Sequence, residues 1–371
     1  MSILIKNIKT LVTMTNGTGI KKNIDLLIEN NKISNIGINI HAPQGVKVID
    51  GSNKVVYPGF INTHHHFFQS LTRKIPRIQS VKLFDWLTIL YEIWHELDEN
   101  IIKTSTQIAI GELLLSGCTT STDQYYVFPQ NASNRLIDVE INKASEMGMR
   151  FYANRGSMSC GKSQGGLPHD DVVQSIDEIM EDCERVVSKY NDSKPFSMCR
   201  VVLAPCSPFS VTTDLLKLTS AYAKEKGLLI HTHLCETIDE ENYCLEKFGK
   251  RPLAYMDECG WLGSNVYFAH GIHLNNDEIK VLADTGTGFS HCPASNMRLG
   301  SGLCNVPDLL KSGVKVGLSV DGSASNDSGN YVREMQLSLL LYRIGSGVDS
   351  MTPEDVLRIA TIRRFADFKY S

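Results

Sequence analysis

Eight short apolar runs, each followed by a longer stretch with helical spacing, constrain the fold of this chain more than any other feature. The runs are GFINTHH (59–65), CTTSTD (118–123), MRFYANR (149–155), CRVVLAP (199–205), LLIHTH (228–233), VYFAH (266–270), TGFSH (287–291) and VKVGLSVD (314–321). Between them lie amphipathic stretches such as TSTQIAIGELLLSG (104–117), DEIMEDCERVVSKY (177–190) and TDLLKLTSAYAKEKG (213–227). Alternating strand and helix is the pattern of parallel βα units. Eight such units in about 260 residues match an α/β fold of the (β/α)8 TIM-barrel type. An open doubly wound sheet is the alternative, and no GxGxxG follows the first strand to support it. Residues 1–56 read differently: ILIKNI, IDLLIEN, KISNIGI and KVVYP are short strands, with turns at NGTG (16–19) and DGSN (50–53). The expected organisation is a partial β-sandwich region over 1–56 and a barrel over 57–371.

Barrel active sites gather at the C-terminal ends of the strands. Here those ends carry His64–His66, Asp123, Arg155, Pro205–Cys206, His233, His270, His291 and Asp321. In an extended strand alternate side chains share a face, so His64 and His66 point one way and His65 the other. In IHTHLCE the same period places His231 behind His233, deeper in the barrel, and makes His233 the better ligand. His64, His66, His233 and Asp321 supply three nitrogens and one carboxylate, a donor set suited to one Zn²⁺, with Fe²⁺ also accommodated. Such an ion lowers the pKa of water from 15.7 to about 7. Glu236, close to His233 and not needed as a ligand, is the expected proton carrier. His270 is placed to polarise the substrate or orient the hydroxide, and Asp321 to accept a second proton. His95, His169 and His273 are read as structural or exposed, His65 as a packing or supporting residue, and Cys206 and Cys292 as small packing residues. His291 stands open between a substrate contact and a structural role.

The remaining composition narrows the partners. Apolar residues make up 42% and charged residues 21% of 371, with a formal charge of −4 and no basic run, which argues against a nucleic-acid partner. Ten cysteines are irregularly spaced with no CxxC, as expected for reduced thiols in a cytoplasmic protein. The start, MSILIKNIKTLVTM, alternates like a strand and has no signal-peptide pattern, and no apolar run is long enough to span a membrane.

The segments PGFINTHHHFFQSLTR, HTHLCET, FAHGIHL, SHCPASNMRLGSG and LSVDGSASND together resemble the amidohydrolase superfamily. LFDWLTILYEIWHELD, NRGSMSCGKSQGGLPHDDVV and VVLAPCSPFSV are similar to its purine and s-triazine deaminase branch, of the 8-oxoguanine deaminase and hydroxydechloroatrazine ethylaminohydrolase kind. The resemblance covers roughly residues 1–345. It implies that His64, His66, His233 and Asp321 hold the metal and that Glu236 and His270 act on the substrate. It further implies that Gln69 hydrogen-bonds a purine ring. Arg155 is either a contact to a ring carbonyl or a salt bridge at the barrel rim. Phe84 and Trp86 either stack on the substrate or belong to the core. Relatives with two metals bridge them through a modified lysine at the end of strand four; here that strand ends VVLAPCSPF, which implies one metal. The HxE…PCxxC signature of another zinc deaminase class is absent. The expected activity is hydrolytic deamination of an aminated purine-like heterocycle, 8-oxoguanine first, then guanine, isoguanine or a hydroxytriazine. A cyclic-amide hydrolase and a non-catalytic scaffold are the rivals. A homodimer or larger assembly is implied. The family pattern departs after Thr361, and roughly 70–90 residues of returning strands expected from the resemblance do not follow, a length of a few strands and connections.

Overall fold

The structure, a computed structural model, describes residues 2–15 and 19–362. Most of the turn expected at 16–19 and the tail beyond Ile362 lie outside the described residues. The chain divides into two compact units, one of residues 1–59 with 194–196, the other of 60–193 and 197 onward.

The first unit is built of short strands. Four form one sheet in the order Lys32–Gly37, Ile24–Glu29, Ile3–Ile8, Lys47–Asp50, and three form another in the order Ile20–Lys21, Thr10–Val12, Val55–Val56. Leu4, Leu27 and Ile40 fill one small core, and Ile8, Leu11 and Leu26 another.

The second unit carries the eight expected strands, all parallel and paired in sequence order: β1 Phe60–Asn62, β2 Cys118–Tyr125, β3 Arg150–Ser157, β4 Cys199–Pro205, β5 Leu229–Leu234, β6 Val266–His270, β7 Gly288–His291 and β8 Lys315–Leu318. The ring closes between β8 and β1, where the Thr63 N–H donates to Leu318 O at 3.2 Å. The Tyr331 hydroxyl lies 2.7 Å from Ile61 O and 2.9 Å from Leu318 O, tying the same two strands. The chain is thus a (β/α)8 TIM barrel with a small β-rich unit before it. The helices have local causes. Ser175 and Glu178 form a capping box that starts Ile176–Tyr190, and Thr212 caps Thr213–Lys226. Gly227 then ends that helix at φ 63°, a conformation that costs other residues more.

Strand alternation sorts the barrel's side chains. Ile61, Tyr152, Val202, Leu229 and Tyr267 meet inside the ring. Phe151, Val201, Ile230, Phe268, Phe289 and Val316 face the helices. Burying each of these large apolar side chains contributes about 1.5–3 kcal/mol. The inner layer also forms the floor on which the polar cluster rests, since the His231 ring stacks on Tyr267 at 4.2 Å between centroids.

Candidate active site

The histidines at 64 and 66 do not lie on a strand. β1 stops at Asn62 and β8 at Leu318, both shorter than expected, because the following residues bond outward to neighbouring segments. Gln124 N–H donates to His65 O at 2.8 Å, Asp321 N–H to His64 O at 3.3 Å, and Phe67 N–H to Asp123 Oδ1 at 2.5 Å. Ile61 faces inward, so unbroken alternation would send His65 into the barrel. The break after Asn62 turns His64 and His66 inward instead. His65 is left outside the cluster, its Nδ1 accepting from His66 N–H at 2.7 Å.

Four donors from the segment after β1, from β5 and from the loop after β8 then converge. His66 Nε2 lies 3.1 Å from His233 Nε2 and 3.5 Å from Asp321 Oδ1, and His64 Nε2 lies 3.4 Å from that same oxygen. Each ring is held from behind. His66 Nδ1–H donates to Gln124 O at 2.9 Å and His233 Nδ1–H to Cys206 O at 2.6 Å. His231 Nδ1–H donates to Tyr267 O at 2.9 Å, which leaves His231 Nε2 as an acceptor for His64 Nδ1–H at 2.8 Å. A carbonyl can only accept, so the protons of all three ligand candidates are fixed on Nδ1 and the three Nε2 lone pairs point inward.

That arrangement fits a divalent cation. Burial pushes the pKa values of His64, His233 and His231 well down and that of His66 down, so the rings are neutral. Burial also opposes charge on Asp321, but its carboxyl is held well below the usual range, with the cationic His270 among the causes. Three lone pairs and an anion therefore face one another with no proton between them, and His64 Nε2 has no hydrogen-bond partner. Tetrahedral zinc with bonds of about 2.0–2.2 Å separates its donors by about 3.3–3.6 Å. The distances above sit around that range. Supporting bonds of the kind made by Gln124 O, Cys206 O and His231 are what orient metal-binding imidazoles.

Beside the cluster, His270 Nε2 lies 3.5 Å from Glu236 Oε2. Burial pushes Glu236 up to about 7. Burial alone would lower His270, but the Glu236 charge and the Cys292 thiol override it and hold the imidazole well above its ordinary value. The two groups therefore retain a transferable proton at neutral pH. Three non-glycine residues here have positive φ: Cys235 at 56°, His270 at 76° and Asp321 at 60°. Each costs about 1–3 kcal/mol and is kept by its surroundings. At His270 the reason is visible. Tyr267 faces inward, so His270 would alternate outward with Phe268, and the positive φ swings it back over the cluster.

A cavity of about 380 Å³, counting its open mouth, lies over these groups. Leu83, Trp86, Leu87, Phe209 and Leu299 form apolar walls, and Gln69, Tyr126, Cys206, Glu236, His270 and Ser325 add polar atoms. Gln69 reaches it from the short helix Phe67–Leu71, with Oε1 buried and unpartnered. Trp86 lines the cavity, whereas Phe84 packs on Phe209 at 4.9 Å.

Two residues that the sequence left open fall outside the cavity lining. Arg155 does not reach the cavity. It alternates outward on β3, where Nε bonds Asp182 at 2.6 Å, Nη2 bonds Gln174 at 3.0 Å, and the guanidinium covers Phe128 at 3.9 Å. His291 likewise faces outward on β7, with Nε2 3.1 Å from the Tyr342 hydroxyl. Conversely, Tyr126, Cys206 and Ser325 went unnoticed as cavity residues. For two of them a signal existed: Cys206 continues the inward set of Val202 on β4, and Tyr126 the inward set of Gln124 on β2.

The model of the amidohydrolase family matches residues 55–364. The chain belongs to the amidohydrolase family. It is 45% identical over 312 residues to an 8-oxoguanine deaminase of Pseudomonas aeruginosa, covering 84% of this chain and 69% of that protein. It is 35% identical over 352 residues to a hydroxydechloroatrazine ethylaminohydrolase of Pseudomonas sp. strain ADP, covering 91% and 73%. Among solved structures it superposes on an atrazine chlorohydrolase from Arthrobacter aurescens TC1 complexed with zinc. The TM-score there is 0.92 at 29% identity, over 96% of this chain and 81% of that one. As a family member with deaminase and aminohydrolase relatives, this amidohydrolase is an enzyme acting on carbon–nitrogen bonds.

Proposed function

We propose that this amidohydrolase hydrolyses the exocyclic amine of a flat purine-like heterocycle, releasing ammonia, with 8-oxoguanine the first candidate. The observation that carries the reading is the pairing of one cation-binding cluster (His64, His66 and His233, with Asp321 against the first two) with a proton-holding Glu236–His270 pair at the floor of an apolar slot. The 45% identity to an 8-oxoguanine deaminase supports the substrate.

One divalent ion per chain, zinc before iron, would supply the acidity that makes water nucleophilic near pH 7. The end of β4 at Pro205, with no lysine there, supports a single ion over the two of a cyclic-amide hydrolase. Trp86 and Phe209 bound the slot, and Gln69 Oε1 is free to accept an N–H from the ring edge. Glu236 takes the proton of the attacking water and returns it to the departing amine. His270 Nε2 holds the oxygen as the ring carbon becomes tetrahedral, and Asp321 accepts the second proton. The overall change replaces C–NH2 by C=O and consumes one water. Among the described residues no lysine or arginine lines the cavity, which favours a bare neutral heterocycle over one with an anionic tail.

A hydroxy-s-triazine is the second reading, favoured by the hydroxydechloroatrazine and triazine-hydrolase relatives. Ten unpaired cysteines suit a reducing cytoplasm, and no described helix is long and apolar enough to cross a membrane. Assembly as a homodimer or larger oligomer completes the proposal and is checked by light scattering. The decisive test is ammonia release by folded, zinc-loaded protein against aminopurines and aminotriazines. Release from 8-oxoguanine supports the first reading, release from triazines alone the second, and release from none refutes both.

A further inference from the structure

We infer that Asn296 is a positioning residue that decides which nitrogen of His270 works in the cavity. The inference rests on the role of His270 proposed above and adds a residue that neither lines the cavity nor joins the cation-binding cluster. Asn296 lies on the helix Pro293–Arg298, directly after β7, and is buried. Its backbone is anchored at both ends. Its N–H donates to Cys292 O at 3.0 Å, and its carbonyl accepts from Ser301 N–H at 3.0 Å.

Its side chain reaches one group. Asn296 Oδ1 lies 2.9 Å from His270 Nδ1. An amide oxygen only accepts, so Nδ1 carries a proton whether the ring is neutral or charged. Nε2, 3.5 Å from Glu236 Oε2, is left as the nitrogen turned toward the cavity. The ring is also confined by stacking on His233, with centroids 5.5 Å apart and planes 15° from parallel. Turned over, the same amide would present Nδ2, make Nδ1 an acceptor and lock the hydrogen onto Nε2. On the cavity side the ring would then present a hydrogen and no lone pair. Asn296 Nδ2 has no protein partner among the described residues, so the contact with His270 is the amide's one side-chain hydrogen bond.

The test uses zinc-loaded full-length protein, with ring-nitrogen NMR of ¹⁵N-labelled histidine as a readout independent of turnover. Wild type is expected to show His270 with a protonated Nδ1 and an exchanging Nε2. Asn296→Asp keeps an acceptor and is expected to keep that signature. Asn296→Leu removes the acceptor and is expected to lose it. With the substrate found in the ammonia-release panel, Asn296→Leu should lower kcat about 10–100-fold with KM changed less than about twofold, and Asn296→Asp should recover most of the loss. A wild-type His270 protonated on Nε2 with a bare Nδ1 overturns the inference without any variant. So does wild-type kcat in Asn296→Leu, or an equal loss in both variants, which marks a merely structural role. Wild-type protein with the expected NMR signature but no ammonia release refutes the proposed function and leaves the tautomer assignment standing.

Discussion

Replacing His231 by phenylalanine tests whether the cation site is built from behind. The substitution keeps ring size and the stack on Tyr267, and removes two hydrogen bonds at 2.8 and 2.9 Å. Two buried groups lose their partners, Tyr267 O and His64 Nδ1–H, each at a cost of about 1–3 kcal/mol. The two costs appear in different measurements. The Tyr267 carbonyl is stranded whether or not metal is bound, so its share falls on folding and lowers the melting temperature of the zinc-free protein. His64 can escape its penalty by moving its proton to Nε2, where the lone pair for the metal belongs. Zinc binding must reverse that move, so the second share falls on metal affinity. At about 1.4 kcal/mol per decade, about 1–3 kcal/mol weakens zinc about 5–150-fold, which brackets the 10–100-fold typical of lost supporting bonds. Zinc affinity is measured by competition with a chelating dye, and folding by thermal melts of the chelator-treated protein. His231→Phe binding zinc within about twofold of wild type would refute the relay, since the His64 tautomer would then be set by something else.

Three further outcomes follow from the same geometry. A Cβ on Gly322 would lie 1.9 Å from Gln69 Oε1, so Gly322→Ala should displace Gln69 and cut kcat/KM about tenfold or more, with zinc content unchanged; unchanged kcat/KM would remove Gln69 from substrate binding. Arg155→Met should destabilise by about 3 kcal/mol, the low end for a broken buried pair because Asp182 keeps Arg185 at 2.7 Å. Its KM should stay at the wild-type value, and a raised KM would return Arg155 to the substrate. Glu236, pushed up to about 7 by burial, must be ionised to accept a proton, so kcat/KM should fall as pH drops below about 7. Glu236→Gln should cost at least about 100-fold in rate and abolish that fall, and an unaltered acid limb would assign it to another group.

The barrel was legible because its eight strands are short apolar runs and its helices amphipathic, a pattern set by burial alone. The donor set was legible because imidazoles and carboxylates recur at strand ends. Orientation was only partly legible, and the failures divide in two. Arg155 and His291 stand at strand ends, yet a period of two counted from Tyr152 on β3 and outward from Phe289 on β7 places both against the helices. Their positions followed from local alternation, and reading strand ends without strand faces left them open. His64, His66 and His270 are the opposite case. Continued alternation from Ile61 and Tyr267 would turn them away from the cluster. They reach it because the strand breaks at Asn62 and because His270 holds φ at 76°. Those departures are sustained by contacts spanning most of the chain, such as Thr63 to Leu318 and His64 to Asp321, which no local pattern encodes. The ladder places residues that support the site, including His231 and the Gln124 carbonyl. The groups proposed to meet the substrate stand at or beyond strand ends, and the roughly 1–3 kcal/mol held in each strained residue is carried by the regular barrel beneath.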